Sequence, residues 1–270
     1  MCVKRVPVPG GRVPLTVDAR AIDTRSLGFT ISPHEECAVE EAVRLVERLG
    51  GSTTVVTLGP AAAEAQLRDA MALGPERAVL LETDGEEWDP GATAKALVDA
   101  IRDAEAETGR FDLILLGQEA ADSADYQVPV RVGHLLGRPV ATGINSLAVE
   151  ACTAVEAGTA VEAGTAVDAG TAVAGRAVPD GWDRLHVPLP AVLSVREGLN
   201  LPRYPSLPGR LRAKKRPVTR RVLERPASPL RLRRLVVPEP TGTGAEILGR
   251  GAEAAPLVVE TLRSLGLVGR

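Results

Sequence analysis

Apolar positions along this chain alternate between two spacings, and the switches between them map a run of strands and helices. Residues 2–8 (CVKRVPV) read as a short buried strand closed by Pro9-Gly10-Gly11. In EECAVEEAVRLVERLGG, Ala38, Val39, Ala42, Val43, Leu45 and Val46 recur at helical spacing. Ser32 as N-cap, Pro33 at the first helical position, acids in the first turn and Gly50-Gly51 behind the last turn bound that helix. A β-branched run, STTVVTLGP (52–60), leads into the helical AAAEAQLRDAMALG (61–74). AVLLE (78–82) reads as a strand, ATAKALVDAIRDAEAETG (92–109) as a helix, and DLILLGQEAAD (112–122) as a strand with a polar mouth. This alternation predicts an α/β fold: a three-layer, mostly parallel, Rossmann-like sheet that binds ligands outside the carboxyl ends of its strands.

The second half is less regular. Residues 153–173 repeat TAVEAG, TAVEAG, TAVDAG, TAV with a six-residue period. A small β-helix-like or calcium-binding solenoid would need stacked copies and clustered acids. The copies here are too few to form a core, and Glu156, Glu162 and Asp168 fall singly, which favours an expanded loop or lengthened hairpin. LHVPLPAVLSV (185–195) reads as a last sheet strand. Residues 203–234 then carry twelve basic side chains against one acid, Glu224, and five prolines within the stretch, with Pro202 just before it, deny it a continuous helix, so an extended basic arm is expected. A closing helix is expected near 252–266.

Composition narrows the function classes. The chain has 270 residues, 44% of them apolar and 25% charged, which suits one core, alone or with an appendage, and rules out global disorder. A net charge of −3 argues against a whole-chain nucleic-acid binder, and six aromatic residues in all argue against base-stacking platforms. Cys2, Cys37 and Cys152 stand far apart, with no zinc-site spacing. MCVKRVPVPGG lacks the long apolar run of a signal peptide, and no 18-residue apolar stretch follows, so no direct membrane insertion and a cytoplasmic location are expected.

Chemical motifs are sparse. The chain has no G-x-G-x-x-G, Walker A, G-x-S-x-G or H-E-x-x-H, and His34, His134 and His186 are isolated, each better explained as a packing or surface residue than as a catalyst. Two loops have the character of a nucleotide site: Leu58-Gly59-Pro60 entering a helix, and GQEAADSADYQVP (117–129) running from strand to helix. Backbone N–H groups at a helix start attract anions, and Pro129 fits the first turn without wasting a donor.

The segments VKRVP (3–7), SP with AVEEAVRL (32–45), VTLGP with LRDAMALG (56–74), DLILLGQEAAD (112–122), LPAV (189–192) and NLPRYPSLP with AKK (200–215) together resemble the β subunit of electron-transfer flavoprotein. The match runs in order over most of the chain, the repeat excepted. The resemblance implies an adenine-nucleotide α-hydrolase-like sheet and a heterodimer whose α subunit holds the redox-active FAD, while this chain holds a structural AMP. It implies AMP contacts at Cys2, at Ser32, Pro33, His34 and Glu35, at Leu58 and Gly59, and at Gly117, Gln118, Glu119, Ala120, Ala121, Asp122, Ser123, Ala124, Asp125, Tyr126, Gln127 and Val128. A loop for docking acyl-CoA-type or other flavoprotein dehydrogenases is implied at Val195, Arg196, Glu197, Gly198, Leu199, Asn200, Leu201, Pro202, Arg203 and Tyr204, with Leu199 as an exposed apolar anchor. Electrons would pass on to a membrane quinone oxidoreductase, and the chain itself would carry no catalytic residues and bind no metal or nucleic acid.

The implied organisation is a nucleotide-binding domain over 1–202, with residues 153–178 inserted in a hairpin, and an arm over 203–270 that packs on the α subunit. Three positions depart from the family pattern: Val128-Pro129 replaces Thr-Gly, Ser32 replaces Asn, and His34 replaces an aromatic. His34 either tunes a flavin nearby or fills the aromatic's place, the latter being favoured. Two other readings stand beside this one. A flavin-bifurcating β subunit would hold a second FAD instead of AMP, and a stand-alone nucleotide-binding stress or regulatory protein would need neither N-x-P-R-Y nor the basic tail.

Overall fold

The computed structural model describes residues 1–8, 10, 13–150, 170–228, 230, 232–238 and 247–268. Seven parallel strands form the central sheet: β1 (Cys2–Val3), β4 (Thr54–Gly59), β5 (Arg77–Glu82), β6 (Leu113–Gly117), β7 (Val140–Ile144), β11 (Ala191–Val195) and β12 (Thr219–Val222), in the order β12-β5-β4-β1-β6-β11-β7. Successive strand residues point to opposite faces, so the core divides in two. Val56, Leu81, Ile114, Leu116 and Val192 pack with Trp88 under α3 (Pro90–Thr108) and α4 (Val128–Leu136). Their neighbours Val55, Leu80, Leu115 and Leu193 face α1 (Pro33–Leu49) and α2 (Glu64–Leu73). The predicted three-layer α/β fold is therefore present.

Local signals explain the helix limits. Ser32 has extended backbone ahead of α1, and Glu35 accepts its N–H at 3.0 Å, one half of a capping box. The Asp89 carboxylate accepts from Gly91 and Ala92 at the start of α3. Gly137, with a φ of 64°, stops α4.

Two of the expected strands divide. Residues 2–8 supply β1 to the main sheet and β2 (Val6–Val8) to an antiparallel pair with β3 (Gly28–Thr30). The break has a cause: Lys4 N–H donates to the Glu35 carboxylate at 3.0 Å, and the Arg5 guanidinium sits 3.1 Å above the Phe29 ring. Residues 185–195 likewise divide into the end of β10 (Gly181–Pro188) and β11. Pro188 and Pro190 lack the N–H needed to run one ladder through. β10 instead joins β9 (Thr171–Val178) and β8 (Ser146–Glu150) in a separate antiparallel sheet. Glu150 pairs with Thr171, so the chain leaves and re-enters one hairpin there; most of the six-residue repeat lies outside the described residues.

The basic stretch 203–234 is more structured than an extended arm. α5 (Leu207–Lys215) begins where the Ser206 hydroxyl accepts from Gly209 N–H at 3.2 Å, and β12 extends the sheet beside β5. The prolines do prevent one continuous helix. Arg68 Nη1 donates to the Ala213 carbonyl at 2.7 Å and Arg216 Nη1 to that of Pro75 at 2.6 Å, fastening α5 to the end of α2.

Contacts divide the chain into Met1–Pro14 with Ile22–Leu232 and a smaller unit, Leu15–Ala21 with Arg233–Arg270. The smaller unit holds α6 (Ala254–Ser264), and within it Leu235 N–H donates to the Ala19 carbonyl at 2.7 Å. No helix among the described residues is long and apolar enough to cross a membrane.

Gly209 is buried, and a Cβ there would collide with the Ala72 carbonyl oxygen of α2. Gly209→Ala is therefore expected to lower unfolding stability by about 1–3 kcal/mol in urea titration, because backbone must yield. A shift within about 0.5 kcal/mol, as at an ordinary surface site, would show that α5 is not held against α2 this way.

Candidate functional site

The strand order reverses direction at β1. The chain passes from β1 through β4 to β5 on one side, then crosses to β6 on the other, which makes the β1/β6 boundary the switch point of the sheet. Four features converge at its carboxyl end: Lys4 after β1, the Gly117 terminus of β6, Val195 at the end of β11, and the first turn of α1. Gly117 permits the convergence, since a Cβ there would lie 2.7 Å from Glu35 Cγ and 3.3 Å from both His34 Cβ and the Glu119 carbonyl oxygen. The Ser32 hydroxyl donates to that same carbonyl at 3.4 Å.

Glu35 is a buried carboxyl. Its two oxygens accept the N–H groups of Ser32 and Lys4, each at 3.0 Å, and burial pushes its pKa up to about 8 despite those donors. The Lys4 ammonium reaches away from it, to Glu87 at 2.8 Å, Asp122 at 2.9 Å and Ser123 at 3.5 Å. Burial works against the charged form of Lys4, but the two carboxylates outweigh it and hold the pKa above its ordinary value.

Residues 118–127 form the turn between β6 and α4. Gln118 N–H donates to the Val195 carbonyl at 2.9 Å. The Gln118 amide oxygen accepts from the Ser194 hydroxyl, which itself accepts Gly143 N–H at 3.0 Å. This chain of bonds ties the ends of β6, β11 and β7. Ala124 and Tyr126 adopt left-handed backbone, with φ of 49° and 57°. Ala124 N–H closes on the Ala120 carbonyl at 2.9 Å, whereas the N–H groups of Asp125, Tyr126 and Gln127 meet no acceptor among the described residues. Left-handed and right-handed residues in succession form a concave nest of N–H groups, here leading directly into the start of α4. Such a donor set fits a phosphate or another anion. Val128-Pro129 adds no hydroxyl, so binding there rests on backbone.

Several expected contact residues contribute no polar side chain. The Cys2 thiol lies in the core, and burial pushes its pKa up to about 11. Leu58 is half-buried against the same core, and Gly59 packs close to Ala63. Gln127 accepts from its own helix, from Arg131 Nη2 at 2.8 Å. Conversely, Lys4, Glu87 and Ser194 belong to the site and were not picked out from sequence. Lys4 carried a faint signal, being one of four lysines in an arginine-dominated chain and directly following the first strand.

The loop after β11 lies against α1. Val195 is fully buried and presents no side-chain surface. Leu199 N–H donates to the Arg196 carbonyl at 3.3 Å, and Gly198 turns the chain with a φ of 89°. Asn200 Nδ2 donates to the Cys37 carbonyl and to Glu41, each at 3.0 Å. The Arg203 guanidinium bridges Glu40 and Glu47, and Arg44 Nη2 holds the Leu201 carbonyl at 2.9 Å. Glu40 is only 1% exposed. Burial would raise its pKa, but Arg203 and Arg44 outweigh that and hold it low. Leu199 is not the exposed anchor expected from the sequence: it is half-buried against the apolar cluster that lies between α1 and the sheet. The exposed apolar side chains are Leu201, 84% accessible, and Tyr204, 96% accessible.

Fold and site thus define a parallel α/β protein with a turn rich in unpaired N–H groups at the switch point of its sheet. The profile of the Electron transfer flavoprotein domain matches residues 20–225. Electron transfer flavoprotein subunit beta of Bacillus subtilis (strain 168) is 34% identical over 259 residues, covering 93% of this chain and 92% of that protein. The subunit of the same name from Syntrophomonas wolfei is 31% identical over 265 residues, covering 98% and 95%. The chain belongs to the electron transfer flavoprotein family, among its β subunits.

The buried carboxyl sets a pH dependence. Its folded pKa of about 8 exceeds the ordinary 4.5, so between those values the folded chain holds a proton that the unfolded chain releases. Stability should therefore fall as pH rises through that window, by up to about 1.4 kcal/mol per pH unit. Urea midpoints from pH 5 to 8.5 should show this decline in the native chain and a flatter profile in Glu35→Gln. Parallel profiles would remove Glu35 as the cause.

Proposed function

We propose that the chain serves as the β subunit of a heterodimeric electron carrier, that it holds a structural AMP, and that it completes the surroundings of an FAD held mainly by the α subunit. The observation that carries the AMP assignment is the turn at 118–127: three N–H groups that meet no acceptor among the described residues, with left-handed backbone, lead straight into the start of α4 at the switch of the sheet. The phosphate takes those N–H groups, and the Lys4 ammonium stiffens the turn through Asp122 and Ser123. FAD, when bound, supplies the one-electron redox chemistry. The part played by this chain is positional, with no acid, base or nucleophile acting on substrate.

The loop 195–204 is the docking surface for acyl-CoA-type or other flavoprotein dehydrogenases, and electrons leave to a membrane quinone oxidoreductase. The apolar contact is made by Leu201 and Tyr204, which stand free of the body while Asn200 and Arg203 are fastened to α1. A small apolar tip on a rigid base gives a weak, readily reversed encounter. Arg210, Arg212, Lys214 and Lys215 of α5 lie close by in sequence and steer acidic partners.

Co-expression with an α subunit and extraction of cofactors should yield one FAD and one AMP per heterodimer. Two flavins and no AMP would make the chain a bifurcating β subunit, and a flavin-free chain that ignores the α subunit would overturn the assignment altogether. In the purified heterodimer, Leu201→Ala and Tyr204→Ala should each raise the KM for the donor dehydrogenase about 5- to 30-fold, as for an apolar hot spot, with FAD content unchanged. An unchanged KM in both would place docking elsewhere.

A further inference from the structure

The anion-binding turn behind β6 and the loop behind β11 meet at one side chain, His34, the second residue of α1. Its Nε2 lies 3.3 Å from Glu119 Oε1, and its Nδ1 accepts the Glu197 N–H at 2.8 Å. Accepting a backbone N–H requires a bare Nδ1, so the ring proton sits on Nε2 and points at the carboxylate. The ring is held from below, because Gly117 lets His34 Cβ approach the end of β6, and from beside, because Ser32 binds the Glu119 carbonyl. Glu119 itself belongs to the turn, whose N–H groups at 125–127 lead into α4. Beyond Glu197 lies the tight turn Arg196–Leu199, which sets the path into exposed Leu201 and Tyr204.

We propose that His34 is a positioning residue that couples occupancy of the nucleotide turn to the geometry of the docking loop. The proposal rests on the assignment of those two loops made above. Nucleotide in the nest fixes the turn that carries Glu119, Glu119 orients the imidazole, and the imidazole holds Glu197 N–H. By linkage, a partner on the docking loop tightens the nucleotide by the same factor.

Hydrogen exchange on the purified heterodimer tests this, comparing the native chain with His34→Phe, which keeps a ring and loses both contacts, and His34→Asn, whose amide oxygen can replace Nδ1. In His34→Phe, exchange over 118–127 and 195–201 should rise about 5- to 10-fold, the yield of one lost hydrogen bond, while the body of α1 keeps its protection. His34→Asn should restore protection over 195–201 alone. AMP added to nucleotide-depleted protein should protect 195–201 in the native chain and not in His34→Phe. Unchanged exchange over 195–201 in His34→Phe, or equal loss along α1, would overturn the coupling. If AMP fails to protect even 118–127 of the native chain, the nucleotide assignment fails, and the AMP coupling fails with it. The exchange of the variants without nucleotide then still decides whether His34 ties the two loops.

Discussion

The approach of the α1 N-terminus to the end of β6 is the contact on which the rest of the site depends. It is possible only because residue 117 has no side chain, and it brings a buried carboxyl to within van der Waals reach of the strand. Glu35 then replaces ladder partners: it takes the N–H of Lys4, where β1 stops, and that of Ser32, where α1 starts. One side chain therefore ends a strand and begins a helix at the same place. A carboxyl so thoroughly desolvated is tolerated because backbone donors meet both oxygens.

α1 carries both loops of the candidate site. Its start meets the turn after β6 through Ser32 and His34, and its outward face meets the loop after β11 through Cys37, Glu40, Glu41, Arg44 and Glu47. The polar residues of that face are not a solvated stripe. Glu40 is almost completely buried and is shared between two guanidiniums, an arrangement in which losing one partner leaves a charge without compensation. The result is a stiff base beneath a short exposed tip of Leu201 and Tyr204.

Periodicity made the helices and the main parallel strands visible, because helical and strand spacing are local properties of the chain. It did not show where one apolar run serves two sheets. CVKRVPV and LHVPLPAVLSV each look continuous, yet a buried glutamate divides the first and prolines divide the second. Nor did it show that the basic stretch after Arg203 adds a strand to the sheet edge, since TRRV has no apolar alternation and is held by pairing with β5 and by Arg220 with Glu64 and Glu82.

The candidate site divides in the same way. The strand-end turn at 117–128, the α1 start at Ser32–Glu35 and the family itself were legible in the residues, because glycines, caps and short motifs act through their immediate neighbours. Tertiary structure alone decided that Lys4 braces the turn, that Leu199 turns inward and Leu201 and Tyr204 turn out, and that His34 touches both loops. Each of these depends on crossovers that bring together residues far apart in the chain, where burial and hydrogen-bond geometry, rather than local spacing, determine which side chains meet.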